Sequence, residues 1–366
     1  MSTATVGARV TELLSRLARS PRFAGSTAED AARRFCRTEL ENSGLACREI
    51  EFEYSQWPGR WGPPVAAAVQ LVTILIVART ARNGNPVMAL ALAAALLIAL
   101  AFVSRDARRR WPLKFPFLRA SGVNLEASRG KPSVWLIAHI DSKSQTIPMV
   151  YRVASVVLLN VVTVVSLVAA LFQAAGYKEV MSYWLLLSLA AGLAAVPALL
   201  CIVRNDSVGA VDNASGVAAV LLAARQFPND QALGVLITSA EELGLAGARH
   251  RALTLTPGSR VVNCDTVDDS GVWLCMHTGT RPALSSRAET IARSVGLKLR
   301  PRRLIPGILA DSVAFSDRGF EAITISRGSL ATLARIHTRR DNSAALTGSG
   351  IGEAATLLAA LTMELG

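Results

Sequence analysis

Four long apolar runs interrupt an otherwise polar chain: Pro64–Ala78, Pro86–Val103, Val150–Ala175 and Met181–Val203. A hydrocarbon core about 30 Å thick needs roughly 20 helical residues to cross it. The third and fourth runs meet that length. The first stops early at Arg79 and is expected to recruit Trp57, Trp61 and a snorkelling arginine to complete a span. The runs come in pairs, with Arg79–Asn85 joining the first two and Gly176–Val180 the last two. Each pair reads as a transmembrane helical hairpin that returns the chain to the side it left. The polar segments must then lie together on one side.

Between the hairpins the pattern is that of an α/β domain. Residues 6–19 and 27–43 have helical spacing, as do Gly216–Gln226 and the C-terminal Gly350–Leu365, the last read as amphipathic. Strands are expected at Arg48–Tyr54, Gly122–Ala127, Ser133–Ile140 and Ala232–Ser239, with shorter ones at Val261–Cys264, Gly271–Met276 and Ala322–Ser326. Strands alternating with helices predict a β-sheet covered by helices on both faces. The organisation is therefore a peptide-chain domain in three pieces, residues 1–60, 105–148 and 204–366, interrupted by hairpins at 61–104 and 149–203.

Composition sharpens this reading. Hydrophobic residues make up 51% of the 366 positions and charged residues 18%, below the quarter usual for soluble domains. The net charge is +12. Much of the excess borders the apolar runs, at Arg105, Arg108, Arg109, Arg110 and Lys114, and no basic stripe is interleaved with aromatic residues. That favours a lipid bilayer as partner over nucleic acid. The five cysteines are scattered, with no C-x-x-C, so neither a disulfide framework nor a thiolate metal site is expected. The first twenty residues lack a continuous apolar stretch, and no cleavable signal peptide is expected.

The candidate chemistry gathers at strand ends. The strand Ser133–Ile140 runs into His139-Ile140-Asp141, and residues two apart on a strand share a face, so Asp141 can lie where it would orient the His139 imidazole. Asp212-Asn213-Ala214-Ser215-Gly216 forms a turn into a helix. Glu241-Glu242 follows the strand Ala232–Ser239, Asp265 follows Val261–Cys264, and His337 comes late in the chain before Asp341. Two histidines with several carboxylates and no thiolate suit zinc, or less selectively manganese or cobalt. A pair of metals would need a bridging carboxylate, and a further carboxylate free of metal would take a proton from the attacking water. The adjacent Glu241 and Glu242 can divide those tasks. Of the four histidines, His250 and His277 have no such carboxylates around them and read as structural.

The ordered series AHIDS, VDNASG, SAEELGLAGA, NCDT and IHTRRDN resembles the two-zinc aminopeptidase family, which includes leucyl-type aminopeptidases, glutamate carboxypeptidase and glutaminyl cyclases. SPRFAGSTAEDAARRF is similar to that family's Arg-x-x-Gly-Ser segment and first helix. The resemblance implies a mixed β-sheet of the zinc-exopeptidase type and two Zn2+ ions. It implies His139 and Asp265 on one ion, Glu242 and His337 on the other, Asp212 between them, Glu241 as general base and acid, and Asp141 orienting His139. Asp311 matches a family aspartate near the site. Three features depart from the family pattern: Val211 before the bridging aspartate, Ile336 before the late histidine, and an entire hairpin between Asp141 and Asp212.

The resulting expectation is a multi-pass membrane metallopeptidase of aminopeptidase type acting on peptides, with apolar or membrane-released peptides favoured and the catalytic domain facing the cytoplasm. The alternatives are a one-zinc, glutaminyl-cyclase-like acyltransferase and a non-catalytic membrane receptor or scaffold.

Overall fold

The computed structural model describes residues 3–305 and 307–366. Its centre is an eight-stranded mixed sheet built from β1 (Ala46–Ser55), β2 (Arg119–Arg129), β3 (Val134–His139), β6 (Leu233–Thr238), β7 (Arg260–Val267), β8 (Val272–His277), β9 (Arg300–Arg303) and β10 (Glu321–Gly328). The two remaining strands, β4 (Ser144–Gln145) and β5 (Val203–Arg204), pair only with each other. The sheet order is β1-β2-β6-β3-β7-β10-β8-β9. Its central strands β6, β3, β7 and β10 run parallel, and β2 and β8 flank them antiparallel.

Burial explains the arrangement. Every residue of β3 and β6 is buried, as expected for parallel strands covered on both faces, whose sequences read as unbroken apolar runs. One face carries α1 (Thr3–Leu17), α2 (Thr27–Asn42), α8 (Ser215–Gln226), α10 (Ala283–Ser294) and α13 (Ser349–Leu365), which share the large core with Leu136, Val235, Val262 and Ile323. The other face packs α9 (Ala246–Arg251) and α11 (Ser312–Ser316) onto Trp135, Ile137, Leu236 and Val261. The helix α13 is buried along much more of its length than an amphipathic surface helix would be.

The apolar runs form α3 (Trp57–Arg82), α4 (Pro86–Arg109), α6 (Met149–Ala174) and α7 (Tyr183–Leu199). A short turn of helix, α5 (Trp111–Lys114), leads from α4 back to the sheet. The helix α3 begins at Trp57, so the tryptophans do extend the first run. Three helical segments, Trp57–Arg82, Met149–Ala174 and Lys178–Leu199, are long and apolar enough to cross a membrane. The apolar part of the fourth, Pro86–Phe102, is shorter. The four helices pack against one another through Ala78, Ala81, Ala89, Ala93, Ala170 and Trp184 and through a second seam around Ala67, Leu159 and Ala195. The remaining helix, α12 (Leu330–Arg335), is capped by Ser329 and delivers the chain to His337.

Candidate metal centre

The six residues singled out for metal chemistry and proton transfer converge, from five separate stretches of chain, beside the carboxyl ends of the parallel strands. His139 ends β3, Glu241 and Glu242 follow β6, Asp265 lies in β7, Asp212 sits in the turn before α8, and His337 follows α12. They form two triads, His139–Glu241–Asp265 and Asp212–Glu242–His337, all buried.

Asp212 belongs to the second triad and also faces the first. Its Oδ1 is 3.2 Å from His139 Nε2 and its Oδ2 is 3.0 Å from His337 Nε2. His139 Nε2 is also 3.6 Å from Asp265 Oδ1 and 4.0 Å from Glu241 Oε2. His337 Nε2 is 3.0 Å from Glu242 Oε1, yet that oxygen makes no hydrogen bond and is buried. A buried carboxylate oxygen left this way is costly unless a cation completes it.

The backbone at the site is strained and braced. Ala240, Thr266 and His337 have positive φ angles of 55°, 58° and 60°, a region that non-glycine residues seldom occupy and that surrounding contacts must enforce. Two further carboxylates supply bracing. Asp341 accepts the backbone N–H groups of Val211 and Asp212 at 2.7 and 3.2 Å. Asp141 accepts those of Glu241 and Glu242, both at 3.1 Å. Asp141 was expected to orient His139. Its backbone carbonyl lies 3.1 Å from His139 Nδ1, whereas its carboxylate is 3.7 Å away and committed to the glutamate turn.

The electrostatics call for positive charge. Burial would lower the pKa of His139, but Glu241, Asp141, Asp212 and Asp265 around it outweigh burial and raise it well above the ordinary value. Burial, reinforced by Glu242, Asp265 and Asp311, holds the Glu241 carboxyl well above the usual carboxylate range despite His139. Burial likewise raises Asp311 to about 7, although Thr238 donates to its carboxylate. The histidine-carboxylate chemistry and the orphaned Glu242 oxygen fit a divalent metal such as zinc.

Two further residues brace the site from outside the candidate set. Arg22, in the SPRFAG segment, is 1% exposed. Its guanidinium donates to the carbonyls of Ile140 at 2.8 Å, Val208 at 2.6 Å and Gly209 at 3.1 Å, so it clamps the strand end carrying His139 to the turn carrying Asp212. Lys143 is 7% exposed and places Nζ 2.7 Å from Glu242 Oε2 and 3.1 Å from the Glu242 carbonyl. In the sequence Arg22 is the arginine of the Arg-x-x-Gly-Ser segment, whereas Lys143 shows only as a cation close to a motif. His277 lies on β8 and His250 stacks on Phe52, and neither enters the cluster.

A mixed sheet with two histidine-carboxylate triads at the ends of its parallel strands has the layout of a zinc-dependent peptidase. The sequence pattern of Peptidase family M28 matches residues 123–362, and the chain belongs to that family. Family membership implies zinc. Among solved structures, the chain is similar to a zinc aminopeptidase from Bacillus subtilis, with 14% identity, TM-score 0.58, 98% of this chain and 94% of that one covered. It is also similar to an aminopeptidase from Aneurinibacillus sp. strain AM-1, with 12% identity, TM-score 0.57 and coverage of 98% and 93%. A glutaminyl cyclase from Fimbriiglobus ruber is similar too, with 13% identity, TM-score 0.54 and coverage of 98% and 95%. At these identities the likeness concerns the fold. No curated protein sequence matches the chain significantly.

Proposed function

We propose that this protein is a membrane-embedded metallopeptidase of aminopeptidase type that uses two zinc ions. The observation that carries the metal reading is Asp212, whose two oxygens face histidines of different triads. In this reading His139 and Asp265 would hold one ion, Glu242 and His337 would hold the other, and Asp212 would serve both. Bound zinc supplies a Lewis acid and an acidified water. Glu241, buried beside the first triad and held above the normal carboxylate range, accepts the proton of the attacking water and hands it to the leaving amine. Asp141 fixes the backbone of Glu241 and Glu242 so that the two carboxylates stay divided between proton transfer and ligation.

The membrane reading rests on inverted amphipathy in the helices. Leu185, Leu186, Leu189 and Leu193 on α7, and Val161 and Leu171 on α6, point outward and are exposed. The polar side chains point inward: Gln70 donates to Thr163 at 2.7 Å, and Trp184 donates to Gln173 at 2.6 Å. A helical bundle in water would reverse this, whereas one in lipid requires it. Trp57, Trp111 and Phe115 form an aromatic cluster at the root of the first hairpin, where an interfacial aromatic belt would lie.

The second reading is a one-zinc acyltransferase of glutaminyl-cyclase type, and the similarity of the fold to a glutaminyl cyclase favours it. Activity of detergent-purified protein on a panel of aminoacyl fluorophores, with and without chelator, tests the first reading. Release of fluorophore with two zinc ions per chain supports it. One zinc per chain, with cyclisation of an N-terminal glutaminyl peptide and no fluorophore release, replaces it with the second.

A further inference from the structure

The second hairpin joins the sheet domain through a narrow neck. Ser144–Pro148 climbs into α6, and Ile202–Asp206 returns from α7. The two strands are pinned by the β4–β5 pairing and by Thr146 N–H donating to Ile202 O at 3.0 Å. Ser144, Gln145, Thr146, Arg204, Asp206 and Arg339 line a cleft of about 340 Å³ at this neck.

The polar groups of the cleft are unbalanced. Among the described residues Arg339 has one ionic partner, Asp206, at 3.4 Å, and its side chain is 81% exposed. Arg204 has no ion pair among the described residues, so two guanidinium groups face one carboxylate. Gln145 is only 6% exposed, and its amide Nε2 makes no hydrogen bond. A buried donor left open this way needs an acceptor. Two cations and a spare amide donor fit a phosphate, which offers several acceptor oxygens and a negative charge. The surroundings indicate which phosphate. Tyr151 on α6 and Leu200 and Ile202 below α7 are exposed apolar side chains flanking the cleft in the chain. Cations lining the cleft, with exposed apolar residues next to them in the chain, match a headgroup with acyl chains attached.

We propose that this cleft binds the phosphate of an anionic phospholipid, seating the second hairpin in the bilayer. The proposal rests on the reading of the hairpins as membrane-embedded. The bound lipid would sit close to the metal centre, because the backbone N–H of Gln145 donates to the carbonyl of His337 at 3.0 Å.

The test compares the wild-type protein, Arg204→Gln/Arg339→Gln, and Arg79→Gln/Arg82→Gln at the tip of the first hairpin. Each is first floated with liposomes. A wild-type protein that does not float refutes the membrane reading itself. Proteins that float are then extracted and examined by native mass spectrometry with matched phosphatidylglycerol and phosphatidylcholine. The wild type should retain phosphatidylglycerol preferentially, the neck variant should lose about tenfold of that preference, and the tip variant should keep it. Equal retention by wild type and neck variant overturns the proposal. So does retention abolished by millimolar inorganic phosphate or by a free peptide carboxylate without any lipid preference, which would make the cleft a site for soluble anions. Unchanged flotation and metal content in the neck variant show that it has folded.

Discussion

The Lys143 ammonium lies 2.7 Å from Glu242 Oε2, and the other oxygen of that carboxylate faces His337. A buried cation thus holds one end of a candidate metal ligand and leaves the other end free. Burial would raise the Glu242 carboxyl, but His337 and then the charge of Lys143 bring it down to about 2. Two effects compete in Lys143→Met. Removing a positive charge favours a metal cation, and removing the clamp frees Glu242 to turn. The clamp should dominate, because Oε2 is buried and would lose its hydrogen-bonding partner. Metal affinity is expected to fall roughly 10- to 100-fold, as when other outer-sphere partners are lost, measured by competition with a chromogenic chelator. Unchanged or tighter binding would show that charge outweighs geometry.

Glu241 and Asp212 should separate cleanly. Glu241→Gln keeps the shape of the site and removes the base, so metal content should persist while turnover falls by about 10²- to 10⁴-fold. Asp212→Ala takes a carboxylate from the second triad and the oxygen that faces His139 of the first, so metal content and activity should disappear together. Chelation of the wild type should abolish activity, and zinc should restore it. Full hydrolysis by the Glu241 variant would remove Glu241 from the mechanism.

Glu29 links α2 to the glutamate turn, and its titration should show in stability. It is 2% exposed, accepts Gly25 N–H at 2.6 Å and accepts the Ser239 hydroxyl at 2.5 Å. Burial, then the charge of Asp141, raises it from 4.5 to about 7. The folded protein therefore holds this proton more tightly than the unfolded chain. Its contribution to stability is full below about pH 4.5 and is lost as pH rises through 7, on the order of 3 kcal/mol in all. Glu29→Gln can keep both contacts without titrating. Its melting temperature in detergent should decline less than that of the wild type between pH 5 and 7.5, and parallel declines would refute the assignment.

On the proposed reading of the apolar helices as membrane-embedded, the positive residues near their ends predict a cytoplasmic sheet domain. Arg60, Arg105, Arg108, Arg109, Arg110, Lys114, Arg152 and Arg204 lie on the sheet side, against Arg79, Arg82 and Lys178 at the hairpin tips. A fluorescent reporter fused at Gly366 should fluoresce, and alkaline phosphatase fused there should be inactive. The opposite pair of results would reverse the orientation.

What the sequence made legible follows from the range of each signal. The strands β3 and β6 are continuous apolar runs, so period and burial agree, and they appear within one or two residues of their expected bounds. The strand β9 is Arg300-Pro301-Arg302-Arg303, wholly exposed at the sheet edge. It carries no apolar alternation, and charge and proline there are what protects an edge strand from pairing. The metal candidates were readable because each sits in a short local motif, at a strand end for His139, Glu241, Glu242 and Asp265 and in a turn beside a helix for Asp212 and His337. Their braces were not, because Arg22 and Lys143 act on residues 187 and 99 positions away. Val211 and Ile336 stood out as departures, but only the fold brings them together with Met149 in one buried cluster.

That cluster bears on substrate choice. Met149 is the first residue of α6 and packs on Val211 and Ile336, the immediate neighbours of Asp212 and His337. The short neck keeps the candidate metal centre at the root of the second hairpin, since the eight or so residues after Asp141 span at most about 30 Å even when extended. If the hairpin lies in lipid, the site opens near the bilayer surface. A peptide with an apolar tail concentrates there, and a polar peptide does not. Matched peptides differing only in tail should therefore diverge in liposomes, with kcat/KM higher for the apolar tail by about tenfold for each leucine-sized group it buries in the bilayer. The difference should shrink in detergent, where no continuous bilayer collects the substrate. If kcat/KM is indifferent to the tail in both settings, the hairpin serves as an anchor, and proximity to the membrane does not select the substrate.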